Sequence, residues 1–244
     1  MSIKTTLNYS PNFNSKKRAK KDIKFIIFHY TGMKNEKIAI QKLTNIQSEV
    51  SSHYFIKKNG EIITLVPDSY TAWHAGISFW KNFKNLNKNS IGIEIDNPGH
   101  QFGYKEFSKK QINSLIKLSK FLIKKYKINN KNILGHSDIA PFRKKDPGEK
   151  FPWKKLSRYK IGFWHKLSQS YLSSIRKKKI NNNDKNITLK NIFKIGYSPF
   201  LKKKISNEKK NMLIIKAFQR RFRPKLVNGK IDRECLIISK NLVN

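Results

Sequence analysis

Residues 23–31 read IKFIIFHYT, a β-rich apolar run that turns polar at its end. Such a run predicts a buried central strand with a histidine at its exit. Across residues 37–50, Ile38, Leu43, Ile46 and Val50 recur at roughly helical spacing. His53–Lys58, then Asn59-Gly60, then Glu61–Val66 predicts a β-hairpin, because Asn-Gly suits the positive φ angles of a tight turn. Ser90–Asp96, SIGIEID, is a short strand bounded by Asn89 and by Asn97-Pro98-Gly99. Ser108 and Gln111 fit a capping box, and Ile112, Leu115, Ile116, Leu122, Ile123 and Tyr126 follow at helical spacing with lysines between them. Asn132–Gly135 predicts another short strand leading into His136, and Pro141–Trp153 a loop. Strands alternating with helices predict an α/β domain over residues 1–176, with a mixed central sheet flanked by helices.

Residues 177–187, KKKINNNDKNI, are polar and of low complexity, and are expected to be a linker. Beyond them, Leu213, Ile214, Ala217 and Phe218 share one helical face, Asn228-Gly229 marks a turn, and Asp232 can cap a last helix through Leu236, Ile237 and Leu242. Residues 188–244 therefore read as a small all-α domain.

Composition narrows the classes. At 244 residues the chain can bury a core without covalent staples, and 12% aromatic content excludes wholesale disorder. The single cysteine, Cys235, excludes an intramolecular disulfide framework and any multi-cysteine metal site. No apolar run approaches the roughly 20 residues that span a bilayer, so no transmembrane segment is expected. The formal charge is +38, but of 53 cations only eight are Arg and 45 are Lys, spread over the whole chain. Arg is the better reader of phosphates and bases. The charge therefore reads as a solvated basic surface rather than a nucleic-acid site. The first residues lack the apolar stretch of a secretory signal, so the expected location is the cytoplasm, with periplasm or outer membrane the alternative if the chain is exported.

Of six histidines, His29 ends an apolar strand and His136 follows one, with Asp146 ten residues further on. Two His and one Asp suit a zinc ion that keeps a fourth position for water, although a lone His at a strand end is usually structural. Glu94 lies on the opposite strand face from Ile91, Ile93 and Ile95, and a partly buried Glu can act as general base; the alternative is a solvent-facing strand residue. Lys144, two residues before Asp146, can stabilise an oxyanion or be plain surface charge.

FIIFHYTG, SSHYFIKKNGEI, AWHAGISFW, NSIGIEIDNPG and GHSDIAPFRKKDPGEKFPW occur in this order over about residues 20–160. Together they closely resemble zinc-dependent N-acetylmuramoyl-L-alanine amidases with a peptidoglycan-recognition-protein-type fold. The resemblance implies that His29, His136 and Asp146 hold one zinc ion, that Glu94 activates the attacking water, and that Lys144 stabilises the tetrahedral intermediate. The bond cut is then the amide between N-acetylmuramic acid and L-alanine in peptidoglycan or muropeptides. Trp73, His74, Trp80 and Asn89 are the candidate substrate contacts; Trp73, His74 and Trp80 can equally be core aromatics with a satisfied histidine. His53 reads as structural, and His100 and His165 as surface.

Residues 188–242 weakly resemble the three-helix peptidoglycan-binding domain often fused to these amidases, through IIKAFQRRFRPKLVNGKIDRECL. The first helix, Leu189–Gly196, reads as short and lysine-rich. A second module would raise effective concentration on a polymer. The expected protein is a monomeric hydrolase of peptidoglycan or muropeptides with no nucleic-acid partner. A non-catalytic recognition protein on the same fold is the alternative.

Overall fold

The structure, a computed structural model, describes residues 3–198, 200 and 205–244. In chain order its strands are β1 (Thr6–Leu7), β2 (Phe13–Asn14), β3 (Phe25–Tyr30), β4 (Tyr54–Ile56), β5 (Ile62–Thr64), β6 (Thr71–Ala72), β7 (Phe79–Trp80), β8 (Phe83–Lys84), β9 (Ser90–Ile95) and β10 (Ile133–Gly135). Its α-helices are α1 (Glu36–Thr44), α2 (Lys109–Tyr126), α3 (His136–Ile139), α4 (Trp153–Ser157), α5 (Gln169–Ile175), α6 (Asn182–Ile195), α7 (Asn207–Phe222) and α8 (Arg233–Val243).

Six strands form one mixed sheet in the order β1-β5-β4-β9-β3-β10. The hairpin expected at Asn59-Gly60 pairs β4 with β5 antiparallel, whereas β4, β9, β3 and β10 run parallel. Parallel strands are covered on both faces, and the apolar runs of β3 and β9 meet that demand. Ile26 and Phe28, with Ile91, Ile93 and Ile95, pack against Ile112, Leu115 and Leu122 of α2 and Trp153 of α4. Phe25 and Ile27 point the other way, into a cluster with Leu134, Ile139, Ile192, Ile214, Phe218 and Phe222. The predicted capping box starts α2: Ser108 Oγ accepts the Gln111 N–H, and Gln111 Oε1 accepts the Ser108 N–H.

Two expectations change. Residues 182–187 of the expected linker are the opening turns of α6, because the Asn181 side chain accepts the Asp184 N–H at 2.8 Å and caps a helix there. The first helix of the C-terminal unit is therefore 14 residues long, not the short Leu189–Gly196 segment. His165, expected at the surface, is buried and hydrogen-bonded to the Phe222 carbonyl at 3.3 Å. Helices α5 to α8 contribute to the same apolar cluster as Phe25 and Ile27, so they cover a face of the sheet. Residues 199 and 201–204 of the expected C-terminal domain lie outside the described residues. Among the described residues no helix is long and apolar enough to cross a membrane.

Candidate metal and catalytic site

Topology assembles the site. β3, β9 and β10 are parallel neighbours, and their carboxyl ends deliver His29, Glu94 and His136 to one edge of the sheet. Crevices outside the carboxyl ends of parallel strands are where such sheets bind ligands. His29 and Glu94 are paired in register, so both side chains leave the same face. The loop after α3 then returns Asp146 to the two histidines, held by the Ser137 N–H donating to the Asp146 carbonyl at 2.7 Å.

Three donor atoms converge there. His29 Nδ1 lies 2.9 Å from His136 Nδ1 and 3.1 Å from Asp146 Oδ2, and His136 Nδ1 lies 3.0 Å from Asp146 Oδ2. Bonds of about 2.0–2.1 Å at tetrahedral angles place neighbouring donors roughly 3.3 Å apart, so this triangle fits one zinc ion. The remaining ring nitrogens are engaged elsewhere: His136 Nε2 with the Ala75 carbonyl at 3.2 Å, and His29 Nε2 with His74 Nδ1 at 3.0 Å. Those contacts leave both Nδ1 atoms free to ligate.

Electrostatics agree with that reading. Burial, then the neighbouring His136, lowers His29 to about 4, and burial also lowers His136. Both rings are therefore neutral near pH 7, as ligation requires. Burial opposes charge on Asp146, but His136 and His29 outweigh it and hold this carboxyl far below the usual range. Glu94 goes the other way: burial, then the Asp146 carboxylate, pushes it well above the ordinary glutamate value, with Lys144 opposing. Glu94 Oε2 is buried without a hydrogen-bond partner among the described residues. An orphaned buried carboxylate oxygen beside a donor triangle is poised for a proton that the protein itself does not supply. Lys144 sits in the same loop, near enough that its charge acts on His29, His136 and Glu94.

The substrate-contact candidates separate. His74 is buried behind His29, and its Nε2 reaches Ser90 Oγ at 3.2 Å. Trp73 is half-buried and donates its indole N–H to Asn14 Oδ1 at 2.6 Å. Trp80 is fully buried against Tyr197, so it is core and not rim. Asn89 lies at the wrong end of β9, where its amide donates to the Asp22 carbonyl at 3.1 Å. Five residues of extended chain put it roughly 16 Å from Glu94. His53, expected to be structural, is buried and accepts the Gly92 N–H on Nδ1 at 3.0 Å.

Sequence reading passed over Arg143. Its guanidinium donates to the Ala75 and Ile77 carbonyls and lies 3.2 Å from His136 Nε2, tying the AWHAG loop to the ligand loop. Its position one residue before Lys144 was the available signal, masked by the surrounding charge.

A family model described as N-acetylmuramoyl-L-alanine amidase matches residues 19–149. N-acetylmuramoyl-L-alanine amidase AmiD of Escherichia coli (strain K12) is 36% identical over 233 residues, covering 91% of this chain and 82% of that protein. 1,6-Anhydro-N-acetylmuramyl-L-alanine amidase AmpD of Haemophilus influenzae is 32% identical over 164 residues, covering 60% of this chain and 86% of that protein. Among solved structures, E. coli AmiD in complex with the substrate anhydro-N-acetylmuramic acid-L-Ala-D-gamma-Glu-L-Lys has a TM-score of 0.77 at 34% identity, covering 91% of this chain and 89% of that one. AmpDh3 from Pseudomonas aeruginosa in complex with anhydromuramic pentapeptide has a TM-score of 0.76 at 30% identity, covering 95% of each chain. By sequence and by fold, this chain belongs to the N-acetylmuramoyl-L-alanine amidase family of enzymes.

Proposed function

We propose that this amidase is zinc-dependent and hydrolyses the amide between the lactyl group of N-acetylmuramic acid and L-alanine, in muropeptides or peptidoglycan. The observation that carries the proposal is the juxtaposition of Glu94, with its raised pKa and orphaned Oε2, and the His29–His136–Asp146 donor triangle. Two relatives are solved with anhydromuramyl peptides, which supports soluble anhydro-muropeptides as substrates. In this reading residues 1–176 carry the reaction, the helices from α6 onward (residues 182–244) form the C-terminal unit, and the protein acts as a monomer. A preference for soluble fragments over intact sacculi would favour the cytoplasm over the periplasm or outer membrane.

His29, His136 and Asp146 would hold the ion. When bound, zinc supplies Lewis acidity toward a carbonyl oxygen and makes nearby water a better nucleophile. The chain's own residues do the rest. Glu94 accepts the proton of the attacking water as the new C–O bond forms on the scissile carbonyl carbon. The Lys144 ammonium offsets the negative charge that develops on the carbonyl oxygen. Glu94 then returns its proton to the departing L-alanine nitrogen as the C–N bond breaks. A carboxyl with a raised pKa suits both directions of that transfer, because it neither holds nor sheds the proton too strongly. The AWHAG segment meets the site through the Ala75 carbonyl, which contacts His136 Nε2 and is pinned by Arg143, and Trp73 of that segment is proposed as a substrate contact.

The test is mass spectrometry of products from an anhydro-muropeptide and from purified sacculi, with and without a zinc chelator. Free stem peptide paired with peptide-free sugar, lost on chelation and restored by zinc, supports the proposal. Cleavage within the peptide or the glycan, or activity indifferent to chelation, overturns it.

A further inference from the structure

The turn that presents His136 is held from outside the catalytic domain. Asp138, two residues past His136, is 1% exposed, and its carboxylate is fully engaged. Oδ2 accepts the Gly135 N–H at 2.8 Å and the Arg221 Nη1–H at 2.6 Å, and Oδ1 accepts the Tyr197 hydroxyl at 2.6 Å. Arg221 lies on α7 and Tyr197 follows α6, so both belong to the C-terminal unit. Arg221 Nη2 donates to the Ile133 carbonyl of β10 at 3.0 Å. One guanidinium thus bridges the strand before Gly135-His136 and the turn after it. The guanidinium carbon sits 4.1 Å from the Trp153 ring centroid and 4.6 Å from that of Phe163.

A buried ion pair is a poor way to add stability, since desolvating both charges cancels most of the attraction. This one is costlier still, because Arg221 Nε is buried without a partner among the described residues. What the arrangement supplies is geometry. A planar fork fixes two acceptors relative to each other, which a point charge cannot do. The fixed points flank His136, and the Ser137 N–H of the same turn holds the Asp146 carbonyl. Two of the three metal-site residues therefore hang on the turn that Asp138 closes. A module serving only to raise local substrate concentration would need no such wiring.

We propose that the C-terminal helical unit braces the metal site, with Arg221 and Tyr197 acting through Asp138 as positioning residues for His136 and Asp146. The inference rests on the zinc reading above. It predicts that loosening the brace weakens metal binding before it abolishes the fold.

The test uses full-length Arg221→Met, Arg221→Lys and Tyr197→Phe. Zinc dissociation constants are measured by competition with a chromophoric chelator, with near-ultraviolet circular dichroism as the check on folding. Removing groups that orient metal ligands typically costs 10–100-fold in affinity. Arg221→Met is expected in that range. Arg221→Lys keeps the charge, loses the fork and is expected to be only partly rescued. Tyr197→Phe removes one hydroxyl from an otherwise intact ring contact and is expected to cost a few-fold. Excess zinc should return kcat toward wild type, a recovery that a purely structural defect would not show. Folded variants that bind zinc within twofold of wild type overturn the brace. Should Arg221→Met fail to fold, an unshifted constant in Tyr197→Phe overturns it alone. A wild-type chain that binds no zinc defeats the metal reading and the brace together.

Discussion

His29 and Glu94 stand directly opposite each other on β3 and β9 and leave the same face of the sheet. The pairing sets a metal-ligand candidate beside a carboxyl whose raised pKa comes from burial and from Asp146. Glu94→Gln keeps the shape and removes the proton acceptor. It should lower kcat by about 10²–10⁴-fold, the usual worth of a positioned general base, while zinc content stays at wild-type level. Muropeptide turnover and metal analysis on one preparation check both halves. In the wild type, kcat/KM should rise with pH through the Glu94 titration, since only the carboxylate can take a proton. That acidic limb should lie above the range of an ordinary glutamate.

His74 closes a hydrogen-bonded line behind the metal site. The His29 Nε2–H can donate to His74 Nδ1, the His74 Nε2–H to Ser90 Oγ, and the Ser90 hydroxyl to the Leu86 carbonyl at 2.6 Å. Followed from Leu86, each proton position fixes the next, and the line ends by leaving His29 Nδ1 bare for the ion. Gly92 makes room for the His74 ring, because a Cβ there would come within 2.4 Å of its Cγ. Gly92→Ala should therefore cost about 1–3 kcal/mol through overpacking and weaken zinc binding as His74 is displaced. Denaturant unfolding of the metal-free protein and chelator competition measure the two effects separately. Unchanged zinc affinity would show that the line does not orient His29.

Patterning made the strands legible in advance, and with them the side chains presented at their ends. The run into His29, the alternation around Glu94 and the short strand before His136 each reflect local burial on a period the chain displays directly. Asn89 was legible: a strand over Ser90–Asp96 already sets it five extended residues from Glu94, at the strand's opposite end. Trp80 was not legible in that way. A tryptophan on a two-residue strand looks the same whether it faces sugar or a side chain 117 positions further on; here it meets Tyr197. Asp138 and Arg221 are separated by 83 positions, and in a chain of 53 cations no spacing rule singles out that pair. The α6 start was hidden because its Asn-rich opening has the composition of a linker, and the Asn181 cap converts it to helix.

Buried histidines also give the metal-free protein an acid-sensitive fold. Burial holds His29 at about 4 and, with the Arg18 charge second, His53 at about 3, against an ordinary value of 6.5. The unfolded chain binds these protons more readily than the folded one, so stability is full above pH 6.5 and drains away as pH falls through the folded values. Each unit of difference corresponds to about 1.4 kcal/mol. Zinc competes with the same protons on His29 and should hold the fold to lower pH; at 100 times its dissociation constant it adds about 2.7 kcal/mol. Denaturation midpoints at pH 7.5, 6 and 4.5, with zinc or with chelator, should keep a near-constant gap from pH 7.5 to 6 and draw together toward pH 4.5 as protons displace the ion, while the chelated protein's own midpoint falls as pH drops below 6.5. A flat profile between those values would sink the assignment of neutral, buried imidazoles.

Trp80 and Gly196 lock the C-terminal helices to the β7–β8 loop. The indole is fully buried, its ring centroid is 5.0 Å from that of Tyr197 at 70°, and the Lys81 N–H donates to the Gly196 carbonyl at 2.9 Å. Gly196 has φ +143°, and a Cβ there would lie 2.4–2.9 Å from the indole. Gly196→Ala therefore meets both backbone strain and a clash, and Trp80→Ala leaves a cavity worth about 3–5 kcal/mol. Trp73→Ala, at a half-buried ring tied to Asn14, should change stability far less and raise KM for a muropeptide instead. Thermal unfolding beside steady-state kinetics separates the two tryptophans. A stable Trp80→Ala with a raised KM would return that side chain to the substrate rim, and with it the sugar-contacting role its sequence context suggests.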